Sequence, residues 1–122
     1  MTGKSIKDYE FEERYKALNK EQKRAVDTTD GPVMVIAGPG SGKTELLSLR
    51  VGNILKKGTA RASNILLLTF TETAALNMRE RLESLIGPDA YRVAIYTFHS
   101  FCTDIIGRYP FLKLHILDQQ VT

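Results

Sequence analysis

A single cysteine, Cys102, stands among 122 residues. No disulfide framework can form within one such chain, and a reducing, cytoplasmic setting is the natural expectation, with Cys102 read as a small buried hydrophobe. No apolar stretch approaches the roughly 20 residues that a membrane span requires, and no cationic, apolar and small-residue succession of signal-peptide type opens the chain. A strong charge of either sign is also missing. Seventeen basic against fourteen acidic side chains leave a formal +3, which is compatible with a polyanionic partner but does not predict one. No internal repeat, low-complexity tract or linker rich in Pro, Gly or Ser divides the chain. With 43% hydrophobic and 25% charged residues, it reads as a soluble chain of one domain at most.

What is present is concentrated in residues 37–44, Ala-Gly-Pro-Gly-Ser-Gly-Lys-Thr. An apolar run at 33–36, then glycines, then a helix-like segment from near Gly42 supply the strand, loop and helix of a phosphate-binding turn. Gly38, Gly40 and Gly42 permit backbone angles that a Cβ forbids, so successive N–H groups can turn inward around phosphate oxygens. The helix N-terminus adds its partial positive charge. Lys43 would reach the β- and γ-phosphates, and the Thr44 hydroxyl would ligate Mg²⁺. Ala37, Pro39 and Ser41 complete the expected nucleotide-binding loop, although the general pattern has glycine where this chain has Ala37. The plainer alternative is an ordinary glycine-rich turn.

Apolar β-like runs at 33–37, 65–69 and 93–97 follow one another at about 30 residues, the spacing of βαβ units. The intervals carry helical periodicity: Leu47, Val51, Ile54 and Leu55, then Ala75, Met78, Leu82, Leu85 and Ile86, then Phe98, Phe101, Ile105 and Tyr109. Gly58 and Gly87, with Pro88 and Pro110, mark helix ends. The run Ile65, Leu66, Leu67, Leu68 does not alternate with polar residues, which predicts strands covered on both faces in a parallel sheet between helix layers. Asn19 with Gln22 forms a capping pair that opens a short helix to about Thr28. Residues 1–17 read as an exposed helix or arm, and residues 18–122 as one partial α/β unit.

Several motifs in order then carry a resemblance: Leu18-Asn19-Lys20-Glu21-Gln22 before the loop, Leu68-Thr69-Phe70-Thr71 with Ala74-Ala75 and Met78-Arg79-Glu80-Arg81 after it, and Thr97-Phe98-His99-Ser100-Phe101-Cys102. Over about residues 18–109 the chain resembles the UvrD/Rep-type superfamily 1 DNA helicases, whose phosphate loop also begins with alanine. The resemblance implies a truncated P-loop NTPase (RecA-like) α/β fold that binds ATP and Mg²⁺. It makes Gln22 the residue that reads adenine through its amide, with helix capping as the alternative role. It lines a single-stranded DNA track with Thr69, Phe70 and Thr71 at one strand end and Thr97, Phe98 and His99 at the next, where open α/β sheets place ligands. An exposed Phe70 would stack on a base for about 1–3 kcal/mol whatever the sequence; the alternative is a core Phe70. Phe98 and Phe101 also fit packing, with Phe101 buried, and His99 fits a cap as well as a DNA contact.

This chain departs from that family pattern in places. Glu45 stands where arginine is frequent, and Glu72 and Thr73 stand where the family has Asn and Lys. Arg79 and Arg81 are candidates to restore the missing charge, or else a solvated helix face. No Asp-Glu pair for hydrolysis follows an apolar run; Asp118 follows one, but with Gln119 where glutamate is wanted. The expectation is therefore the N-terminal part of a longer 3′-to-5′ helicase of repair or recombination, which binds more readily than it catalyses. It would act on single-stranded and duplex DNA together with C-terminal motor domains of the same chain. A helicase joined to a nuclease shares every motif present here. A stand-alone P-loop module or small kinase would need an arginine-rich lid and a phosphate-accepting site, and neither is found.

Overall fold

Asn19 and Gln22 exchange two hydrogen bonds, Gln22 N–H to Asn19 Oδ1 at 2.8 Å and Asn19 N–H to Gln22 Oε1 at 2.9 Å. This reciprocal cap fixes the start of helix α2 (Lys20–Asp27). The computed structural model describes residues 6–40 and 42–109. Before α2 lies α1 (Ile6–Lys16); after it come α3 (Lys43–Lys57), a 3₁₀ turn (Ala62–Asn64), β1 (Leu66–Thr69), α4 (Glu72–Ile86), a second 3₁₀ segment (Gly87–Arg92), β2 (Ala94–Thr97) and α5 (Phe98–Arg108). Gly58 closes α3 in the left-handed conformation and Gly87 ends α4, as expected from sequence. Pro110 lies outside the described residues.

The strands pair in parallel, Leu66 with Ala94 through to Thr69 with Thr97, so both end at one level. Thr71 then caps α4, accepting the Ala74 N–H at 3.0 Å, and Thr97 caps α5, accepting the Ser100 N–H at 3.0 Å. Two helices therefore begin side by side where the two strands stop.

α3 and α4 carry the core. One cluster joins Val51, Leu67, Met78, Leu82 and Val93; the other joins Phe11, Val26, Leu46, Leu49 and Leu85. Leu49, Leu82 and Val26 have no exposed surface. Gly52 lets α1 approach α3 closely, because a Cβ there would stand 3.2 Å from both Phe11 and Leu85.

Several expectations need correcting. The run 33–37 is not a strand: among the described residues the sheet contains only β1 and β2. Met34 and Ile36 are 87% and 91% exposed, so among the described residues this run has no ladder partner and its Met34/Ile36 side has no cover, and β-propensity alone does not supply either. Nor are both sheet faces covered, since Leu67 is buried while Leu66 is 42% exposed. α4 packs on the Leu67 side, whereas α5 reaches the other face chiefly through Phe101, whose ring lies 5.8 Å from that of Tyr96. Finally, Phe101 is half-buried and Cys102 exposed; the ~100° step of a helix turns residue 102 away when residue 101 faces the sheet. The lead-in segment, in its described part, is the helix α1 and is docked through buried Phe11 rather than wholly exposed.

Candidate functional site

The turn before α3 has main-chain geometry that only glycine holds without strain: Gly40 at φ 73° and Gly42 at φ 81°. Gly42 is also the N-cap of α3, and among the described residues no side chain caps that helix. Its first-turn N–H groups consequently have no capping side chain across them, the arrangement that suits an anion. A Cβ at Gly38, Gly40 or Gly42 would meet nothing within 4 Å, so the loop backbone borders open space. Lys43 and Thr44 are exposed in the first turn of α3. Ser41 lies outside the described residues.

Between α2 and the segment before the loop is a cleft of ≈ 680 Å³, lined by Gln22, Ala25, Val33, Ala37, Lys43 and Leu46 among others. It brings the predicted base-reading residue and the predicted phosphate-binding residue onto one concavity. The Gln22 oxygen is at the same time engaged in the α2 cap. Pro39 and Gly40 form the turn at the loop. Among the described residues no group of at least three His, Cys, Asp or Glu is placed to hold a metal ion. Thr44 thus offers one hydroxyl oxygen, which fits a Mg²⁺ that takes its remaining ligands from phosphate and water.

Two arrangements around the loop were not anticipated from sequence. The last carbonyls of α2 are held by α3: Asn53 Nδ2 donates to Val26 O at 3.0 Å, Lys57 Nζ to Asp27 O at 3.1 Å, and Arg50 Nη2 to Thr28 O at 3.1 Å. The signal for this tether was available, as Arg50, Asn53 and Lys57 recur at helical spacing on one face. The second arrangement centres on Glu45. Arg14 of α1 donates Nε to both its oxygens, at 3.2 and 3.0 Å, and Arg81 of α4 stands 3.5 Å away. Burial pushes the Glu45 carboxyl up, but the Arg14 hydrogen bond and the charges of Arg14 and Arg81 outweigh it and hold the group below its usual range. Nothing in the sequence links position 14 to position 45.

The strand-end residues divide by exposure. Phe70 is 90% exposed and Phe98 46%, with ring centroids 5.2 Å apart; Phe70 is therefore no part of the core. Thr71 and His99 are exposed. Thr97, by contrast, is 4% exposed, and its hydroxyl is spent on the cap with Ser100, which corrects its expected place on an open track. Half-buried Thr69 donates to the carbonyls of Thr71 and Tyr96 at 3.2 and 3.4 Å. The two arginines of α4 differ: Arg79 turns inward, donating to Ala90 O at 2.7 Å and Val93 O at 3.2 Å, whereas Arg81 stays exposed and stands 3.5 Å from Glu45. Glu72 and Thr73 are exposed beside Phe70. Asp118 lies outside the described residues.

Set against known proteins, residues 18–119 match the family described as the UvrD/REP helicase N-terminal domain. The chain is 47% identical over 91 residues to the ATP-dependent DNA helicase PcrA of Bacillus subtilis (strain 168), covering 75% of this chain and 12% of that protein. It is 44% identical over 93 residues to PcrA of Staphylococcus epidermidis, covering 76% and 13% respectively, and 43% identical over 91 residues to PcrA of Staphylococcus aureus, covering 75% and 12%. The chain matched here thus spans about an eighth of the length of these relatives, 12–13%.

Proposed function

This chain belongs to the UvrD/REP helicase family, and from that premise we propose that it is the ATP-binding part of an ATP-dependent DNA helicase. The observation that carries the reading is the shared cleft: Gln22 and Lys43 line one cavity beside a helix N-terminus that begins at Gly42, a residue without a side chain to cap it. In this reading the loop amides of residues 38–42 and the Lys43 ammonium hold the triphosphate, and Thr44 contributes one oxygen to Mg²⁺. When bound, the metal and nucleotide supply the phosphoryl group and the charge neutralisation that transfer requires. Gln22, positioned by its bonds to Asn19, lies in the cleft where its carboxamide would meet the adenine edge. Residues 18–122 form part of a RecA-like domain.

In this reading DNA runs along the strand ends. The Phe70 and Phe98 rings form an exposed aromatic platform on which successive bases stack irrespective of sequence, as a translocating motor requires. Thr71 and His99, both exposed, sit at the N-terminal starts of α4 and α5, where main-chain N–H groups favour phosphate oxygens. Thr69 and Thr97 act there by shaping the strand ends rather than by open hydroxyls. Hydrolysis, 3′-to-5′ translocation and strand separation would draw on further motor domains of a parent protein, in a cytoplasmic repair or recombination role.

The test is Lys43→Ala. Calorimetry with ATP and Mg²⁺ is expected to show affinity reduced at least tenfold, since a charge-assisted bond to phosphate contributes about 1.5–3 kcal/mol. Circular dichroism should be unchanged, because Lys43 is exposed. Equal affinity in variant and parent refutes the reading.

A further inference from the structure

The first turn of α3 holds opposed charges two residues apart, Lys43 and Glu45. An acid there stabilises a bare helix, because it complements the partial positive charge of the N-terminus. It acts against any anion that binds the same N-terminus, since like charges in a partly desolvated site repel strongly. A chain that binds triphosphate at this point therefore has to neutralise Glu45 or tolerate the loss.

The structure provides the neutralising groups. The Arg14 guanidinium donates to both carboxylate oxygens, its Nη2 reaching Oε1 as Nε does, the bidentate geometry that makes arginine–carboxylate pairs strong. Arg14 is only 18% exposed in its side chain and is itself fixed, with Nη1 3.1 Å from Ser84 Oγ and 3.5 Å from Glu10. Arg81 adds a second cation at 3.5 Å. Thr44 lines the same hollow as Arg14, Glu45 and Arg81, so the cluster adjoins the residue assigned to the metal. Arg14 comes from α1, residues 6–16, which precedes the family match beginning at residue 18.

We propose that Arg14 is a positioning residue for the phosphate site: it covers the Glu45 carboxylate, with help from Arg81, and so keeps the start of α3 receptive to a triphosphate. α1 is then a working part of the nucleotide site rather than a lead-in. The inference rests on the phosphate-binding reading above and adds to it a residue from outside the matched region.

Charge and architecture are separated by a double-mutant cycle on the full chain, read by calorimetry with ATP·Mg²⁺ and with inorganic triphosphate. Arg14→Gln is expected to weaken both ligands by a similar factor of about five to ten, a deficit that shrinks at high salt. Glu45→Gln should bind at least as tightly as the parent. The double variant should return to within about twofold of the parent, because removing the carboxylate removes the need for its cover. Arg14→Lys, which keeps the charge, should recover most of the loss and serves as the informative variant if Arg14→Gln loses its parental circular dichroism. A double variant as weak as Arg14→Gln alone overturns the proposal, since Arg14 would then act only by docking α1. Parental affinity in Arg14→Gln overturns it as well. Lys43→Ala in the same series keeps the two readings apart: if it binds ATP normally the phosphate site itself is misplaced, whereas its loss beside an unaffected Arg14→Gln sinks only the role of Arg14.

Discussion

Residues 33–37 and 65–69 look alike as sequence, each a short apolar run followed by a loop and an amphipathic helix, yet they end in different states. In the second run Leu67 is buried at 6% exposure and β1 is paired with β2. In the first, Ile36 is 91% exposed and no described strand pairs with it. The difference is one of neighbours. β1 has β2 beside it and Met78 and Leu82 of α4 beneath it; the first run has α2 across a cleft and, among the described residues, no strand at its edge. An apolar run becomes a strand where the fold offers a ladder and a face, and the hydrophobic effect acts only on area removed from water.

The comparison breaks most sharply at Leu82. It has no exposed surface and sits in the cluster beneath Leu67, so Leu82→Ala should cost about 2–5 kcal/mol of stability, measured by urea unfolding. A cost under about 1 kcal/mol would mean that the packing around β1 is as loose as that around residues 33–37, and the contrast would disappear.

A smaller effect is expected at Asn53 of α3, which holds α2, the helix across the cleft from the first run. Its amide bonds Val26 O at 3.0 Å, and Val26 is fully buried. Asn53→Ala strands that carbonyl and should cost about 1–2 kcal/mol. Because the tether fixes α2, and with it Gln22, against α3, the variant should also bind ATP less selectively over GTP while keeping its affinity for inorganic triphosphate. Unchanged unfolding midpoint and unchanged ATP preference together would show that α2 is held by its apolar face alone, through Val26 and Ala25.

These contrasts mark what a sequence can carry. Caps were legible because they are local: Asn19 with Gln22 and Gly58 at the end of α3 involve residues within a few positions of each other. The glycine turn before α3 was legible for the same reason, its positive-φ residues Gly40 and Gly42 lying within eight consecutive residues. Strand formation at 33–37 was misjudged because pairing is a tertiary property. The burial of Phe11, the inward bonds of Arg79 and the Arg14–Glu45 pair were out of reach for the same cause; Arg14 and Glu45 are 31 positions apart. Cys102 was misplaced by its residue type, which predicts burial on average but not which face of α5 it occupies.

The smallest effect is expected at Ile36. Since its side chain is already 91% exposed, Ile36→Ser removes almost no buried area and should change the stability of this chain by less than about 0.5 kcal/mol. Amide exchange gives the same contrast without mutation: the N–H groups of residues 33–37, outside any ladder among the described residues, should exchange far faster than those of β1 and β2. A loss of 2 kcal/mol or more on Ile36→Ser, about what burying such a side chain contributes, would reveal a packed partner for the run. It would return residues 33–37 to the sheet and give the glycine turn the rigid strand on its N-terminal side that the sequence predicts. An absence of effect leaves the loop supported from one side, by α3, whose start must then hold the glycine turn through Gly42 and the first-turn residues Lys43, Thr44 and Glu45. In that case the Arg14 and Arg81 contacts to Glu45 carry more of the site's order than they would beside a paired strand.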